Sequence, residues 1–248
     1  MSSLLTFYLN VNIGFGPIIS SALIGMLGVL IISKYEVEVF CGSFLGMASD
    51  LVFITYNQFL IAALLSGIVF VLVDNHYTGM GGKLGAIAFT GSLFVGIFNN
   101  SNFLTSSIPS FEISIILLFY AIGGAMLTYI LSIRFNYSSV FSSSIVGLLA
   151  SLILPIFYGD LGNQLALMVF CASFVGMSSE EVLENEFYVL ITSLYTGIIF
   201  ILTSPYFGGL GGKLGMTAFV SVISLRGSLE LMSLFRKRNL KRREEAIG

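Results

Sequence analysis

VFCGSFLGMASD (39–50) and GMGGKLGAIAF (79–89) return later in the chain as VFCASFVGMSSE (169–180) and GLGGKLGMTAF (209–219). Both returns have the same offset of 130, and the intervening LIAALLSGIVFVL (60–72) aligns with LITSLYTGIIFIL (190–202) without a gap. Between 39–89 and 169–219, 24 of 51 positions are identical. Apolar segments resemble one another by composition alone, but composition does not place G-G-K-L-G twice at one unbroken offset. Self-similarity of this kind marks a duplicated structural unit.

The relation extends upstream at a different offset. SALIGML (21–27) resembles SSIVGLL (143–149) at 122, and an extra stretch near 158–163 absorbs the difference. Each unit then holds four apolar segments, with 112–132 between the units and without a counterpart. The expected plan is 4+1+4: unit one over 17–98, a linking helix over 112–132, unit two over 139–232 and a basic tail over 233–248.

The composition states what surrounds these segments. Of 248 residues, 56% are hydrophobic and 10% charged, with a mean hydropathy of +0.97. Soluble chains carry about 25% charged residues, so this chain has too few to cover a water-facing surface. A bilayer removes that requirement. Runs long enough to span lie at 17–33, 57–73, 112–132, 139–157, 187–203 and 214–232, and shorter ones at 37–49, 84–98 and 165–179. A span needs about 17–25 residues. The run 37–49 covers only about 20 Å as a helix, so it is a tilted short span, a half-helix or a re-entrant segment. The expected fold is therefore an all-α integral membrane protein of about nine transmembrane or partly re-entrant helices.

Parity sets the symmetry. If all four segments of each unit cross, the second unit begins five crossings after the first and is inverted. If 37–49 and 165–179 do not cross, the shift is four and the units are parallel. Six of the eleven basic residues lie in one tail, as Arg236, Lys237, Arg238, Lys241, Arg242 and Arg243. Basic residues beside a last span are retained in the cytoplasm. With that tail inside, nine crossings place Lys34, Lys83, Arg134 and Arg226 inside and only Lys213 outside. Seven crossings place Lys83, Arg134 and Lys213 outside. The charge rule favours nine crossings and inverted units. The N-terminus lacks a basic region preceding an apolar core, so no cleavable leader is expected, and a bacterial inner membrane with a cytoplasmic C-terminus fits the tail.

Three groups of residues are candidates for function. The turns Gly81, Gly82, Lys83, Gly85 and Gly211, Gly212, Lys213, Gly215 each follow one apolar segment and open another. Glycine lets the backbone turn with positive φ and approach a ligand closely. A helix N-terminus beside a lysine suits a small anion. Leu84 and Leu214 stand where a P-loop needs Ser or Thr, which disfavours nucleotide. The plainer alternative is two tight turns whose lysines snorkel to the membrane face. Asp50 and Glu180 end the motif S-F-x-G-M-x-S-[DE], preceded by Ser49 and Ser179. Carboxylates near spans are costly unless paired or hydrated, so they either lie at the headgroups or act as gate or counter-charge to the lysines. The small residues Gly42, Ser43, Gly46, Ala48 and Ser49, with Ala172, Ser173, Gly176, Ser178 and Ser179, fit close helix packing or, less simply, a narrow polar path. Cys41 and Cys171 sit in apolar runs and read as free thiols. His76 is the only histidine, and nothing in the chain has the spacing of a metal site or a nucleophile–base set, so no cofactor and no enzymatic activity are expected.

Two related halves with glycine-broken segments fit a transporter or channel whose site lies where the halves meet. The expected cargo is a small solute, an anion by the evidence of the lysines. The partners are the lipid bilayer, that solute and, in an oligomer, further copies of the chain; a juxtamembrane basic run needs no nucleic acid. The competing reading is a membrane scaffold or assembly subunit without a pathway.

Overall fold

In the computed structural model, which describes the backbone of residues 1–247 and the side chains of residues 1–236, the chain is all-helical. The helices are α1 (Ser2–Phe7), α2 (Pro17–Ile32), α3 (Glu36–Gly46), α4 (Tyr56–Leu72), α5 (Lys83–Phe98), α6 (Phe111–Tyr129), α7 (Ser139–Tyr158), α8 (Asp160–Gly176), α9 (Glu186–Thr203) and α10 (Lys213–Ile247). The side chains of Lys237, Arg238, Lys241, Arg242 and Arg243 lie outside the described residues. No strand forms among the described residues; an isolated antiparallel bridge joins Leu104 to Gly208.

Local chemistry explains where the helices start. Thr55 and Gln58 form a reciprocal capping box at α4, which satisfies two of the donors a helix N-terminus leaves free. The side chains of Ser110, Ser138 and Asn185 accept bonds from the backbone of Ile113, Phe141 and Tyr188 at the starts of α6, α7 and α9. Pro17 opens α2, where its missing N–H costs nothing.

Each of the nine apolar runs read from the sequence is a helix, and five helical segments are long and apolar enough to cross a membrane. The first of these, Pro17–Gly46, is a hairpin rather than a rod. Ile32 leaves the helical region (φ −136°, ψ 50°) and the chain doubles back. Ser21 Oγ then lies 2.8 Å from Ser43 Oγ, and Gly28 packs on Val39. A similar hairpin follows later in the chain: Gly159, with φ 56°, separates α7 from α8, Ser143 Oγ lies 2.8 Å from Ser173 Oγ, and Gly162 packs on Leu154 and Pro155. The longer α8 takes up the offset change expected near 158–163.

The segment 112–132, which the sequence leaves without a counterpart, makes contacts that α1 also makes. Gly176 packs against Ala125, Thr128 and Tyr129 of α6, and Gly46 against Ser3, Thr6 and Phe7 of α1. Both helices end in a π-helical turn, Tyr8–Asn12 and Ile130–Arg134, closed by bonds from Ile13 N to Tyr8 O and from Phe135 N to Ile130 O, each 3.1 Å. Thr6 and Thr128, and Phe7 and Tyr129, are each 122 residues apart, the offset already found for α2 and α7.

The buried centre lies where elements of the two sequence copies touch. The first two turns of α5 and α10 pack antiparallel, Gly82 against Gly215 and Phe219, Gly212 against Gly85 and Phe89. Beside them, α3 and α8 meet through Phe44 and Phe174, with ring centroids 4.8 Å apart. Outward-facing positions remain apolar, as at Ile31, Val71, Ile156 and Phe157, each more than 70% exposed.

Candidate functional site

The two lysine turns organise the centre. Gly82 and Gly212 hold φ of 81° and 83°, a left-handed backbone that a side chain would strain. Each lies one residue ahead of a helix, so Lys83 and Lys213 occupy the first helical positions of α5 and α10. The lysines then reach back toward the end of the preceding helix. Lys83 Nζ donates to the carbonyl of Asp74 at 2.8 Å, just beyond α4. Lys213 Nζ donates to the carbonyls of Thr203 (3.0 Å), Ser204 (3.5 Å) and Tyr206 (2.5 Å) at the end of α9. A cation at helix C-terminal carbonyls is favoured by the dipole and by the unpaired acceptors there.

Among the described residues, neither lysine forms an ion pair with Asp50 or Glu180. Both carboxylates are exposed. Asp50 accepts a bond from Ser49 Oγ at 3.1 Å. The ion pair formed among the described residues is elsewhere, between Arg134 and Glu186 at 2.5 Å. Ser49 and Ser179 serve the turns through their backbone. Ser49 N donates to Gly209 O and Ser179 N to Gly79 O, each at 2.9 Å. Every such bond ties the end of α3 or α8 to the glycine loop of the other sequence copy. Ser178 Oγ accepts from Gly81 N at 3.1 Å, and Gly211 packs on the carbonyls of Phe44 and Leu45.

A cavity opens beside each lysine. The first, about 290 Å3, is walled by Val37, Phe44, Asp74, Gly79–Leu84, Ser139, Val140, Phe174 and Met177. The second, about 460 Å3, is walled by Asn10, Pro17, Met47, Ser49, Asp50, Leu167, Gly209, Leu210 and Gly212–Leu214. Their walls correspond: Val37 with Leu167, Ser139 with Pro17, Met177 with Met47 and Lys83 with Lys213, all at the offsets of 130 or 122. Both walls draw on both sequence copies. Lys213 shares its cavity with Asp50, whereas Glu180 is absent from the wall around Lys83, where Asp74 supplies the carboxylate.

Four phenylalanines close the centre. Phe40 and Phe44 project from one face of α3, being four residues apart, and Phe170 and Phe174 do the same on α8. Centroid separations run from 4.3 to 6.4 Å, with tilted or edge-to-face rings, as aromatic quadrupoles prefer. All four are at most 2% exposed. The first cavity abuts this cluster through Phe44 and Phe174.

Hydroxyls accompany the rings. Ser43 and Ser173 donate to the carbonyls of Phe40 (2.8 Å) and Phe170 (2.7 Å), so Ser21 and Ser143 are the donors in the two serine pairs. Cys41 and Cys171 donate their thiols to the carbonyls of Leu84 and Leu214 at 3.4 and 3.2 Å. Among the described residues, no group of three His, Cys, Asp or Glu side chains gathers to hold a metal.

Comparison with protein-family models, with curated proteins and with solved structures finds no match. The site is accordingly read from its own chemistry. Sequence reasoning passed over the four phenylalanines, although the signal was present: VFC[GA]SF repeats both rings at i and i+4 in both copies. Aromatic residues in an apolar run read as lipid-facing until a partner helix is known.

Proposed function

We propose that the chain is a membrane transporter or channel for a small solute, whose pathway runs between the two cavities along the interface of two units of inverted topology. The observation that carries this reading is the pair of cavities, each beside a lysine turn and walled by equivalent residues of both copies, with the phenylalanine cluster between the copies. Binding sites of repeat-built transporters lie at such an interface, and a cavity with a few convergent polar groups is the default site of a small ligand. Support for inversion comes from the antiparallel packing of α5 on α10.

The units are best read as five helices each, α1–α5 and α6–α10, in place of four plus a linker, because α1 and α6 pack equivalently on Gly46 and Gly176. The basic tail supports a cytoplasmic C-terminus in a bacterial inner membrane. Support for the expected anion is weaker at Lys213, whose ammonium spends its three donors on carbonyls, than at Lys83, which spends one.

Purified protein in liposomes tests the reading. Solute flux should exceed that of protein-free vesicles. Flux equal to protein-free vesicles for uncharged polar solutes, for halide and phosphate, and for alkali cations alike would overturn it and leave the scaffold reading.

A further inference from the structure

Apart from the Tyr129 hydroxyl, which donates to Leu183 O, and the two cysteine thiols, the buried polar side chains among the described residues are serines and threonines; none is charged and none is an amide. Eight of these eighteen hydroxyls bond to a carbonyl of their own helix, and five, on Thr6, Ser20, Ser92, Thr128 and Ser144, have no partner. Ser20 on α2 and Ser144 on α7 are 0% exposed and their Oγ atoms have no partner. A buried polar group without a partner is rare in folded proteins, and each one calls for an explanation. These two lie on the helices that cross between the units. The Oγ of Ser144 points into the junction of α2 and α3, against Gly25 and Phe40. Close by, Ser21 and Ser143 donate to Ser43 and Ser173 and keep acceptor lone pairs unused.

Resting on the transport reading, we infer that the solute is small, uncharged and able both to donate and to accept hydrogen bonds, and that the serine hydroxyls of α2 and α7 take it past the phenylalanine cluster. The reason lies in what the centre lacks. An ion leaving water needs a fixed counter-charge or a dense cage of oxygens. Here the charged groups Lys83, Asp74, Lys213 and Asp50 belong to the cavity walls, while the phenylalanine cluster between them carries none and its rings pack on one another. A hydroxyl gives and takes one bond each, which suits a solute with both capacities and no net charge.

The test uses the full chain in liposomes, with glycerol and urea as uncharged probes, chloride and phosphate as anions and potassium as a cation. Glycerol or urea should pass and the ions should not. The double variant Ser20→Ala/Ser144→Ala should slow the uncharged probe about tenfold. Its melting temperature should hold or rise, because removing an unpaired buried hydroxyl relieves a desolvation cost. A merely structural role would move stability without moving flux. Wild-type glycerol and urea flux in that variant would overturn the inference while leaving transport intact, and so would passage of an ion in place of the uncharged probes. Absence of flux for every probe would overturn the transport reading itself.

Discussion

Gly85 and Gly215 face each other so closely that a Cβ on either would sit 2.5 Å from the other's Cα. No helix pair carrying ordinary side chains approaches in this way, and small residues are what permit it in membranes. The contact joins the two GGKLG segments to each other, so glycine at both positions is a packing requirement.

Gly85→Ala or Gly215→Ala is therefore expected to destabilise the protein by about 1–3 kcal/mol, the usual cost of overpacking. Gly67→Ala and Gly227→Ala are the controls. Both are helical glycines with nothing within 4 Å of a new Cβ, so they should stabilise by about 0.5–1 kcal/mol. Thermal unfolding of the four purified variants checks the order. Equal melting for all of them would mean that the glycine crossing is not tight.

The lysines differ in what they hold. Lys213 makes three bonds to carbonyls and Lys83 makes one. Bonds to charged groups contribute about 1.5–3 kcal/mol each when buried, and partial exposure discounts that. Lys213→Ala should lower stability by about 1–2 kcal/mol on that discounted scale, and Lys83→Ala by less. Melting temperatures should rank wild type above Lys83→Ala, and that above Lys213→Ala. The reverse order would show that the single bond from Lys83 matters more than the three from Lys213.

Removal of one ring from the phenylalanine cluster should open the path. Phe44→Ala or Phe174→Ala costs about 3–5 kcal/mol in a close-packed core, so Phe44→Leu provides a milder companion. Glycerol flux is expected to rise in all three, with larger solutes admitted in the alanine variants. Folded protein with lower flux would show that the rings guide the solute instead of blocking it.

Topology is open to direct labelling. With Cys41 and Cys171 replaced, a cysteine at Thr105 should react with an impermeant maleimide added outside intact cells, and one in the tail 233–248 should not. Labelling of the tail together with protection of position 105 would refute the cytoplasmic C-terminus.

The sequence by itself determined the nine apolar helices, the repeated sequence segments and the glycine turns. These rest on composition, on repetition at one offset and on local backbone preference, all readable without knowing which helix lies beside which. Only the tertiary structure decided what depends on distant partners. A six-residue helix such as α1 has too few internal bonds to stand alone; its contacts with Gly42 and Gly46 reveal it, and hydropathy does not. The lysines looked like ligands because charge in an apolar setting demands a partner, but that partner is a set of carbonyls at the end of the preceding helix, which no side-chain pattern records. The same holds for Phe40, Phe44, Phe170 and Phe174. Apolar periodicity says that a residue avoids water and not whether it meets lipid or another phenyl ring, because in a bilayer both surroundings are equally apolar.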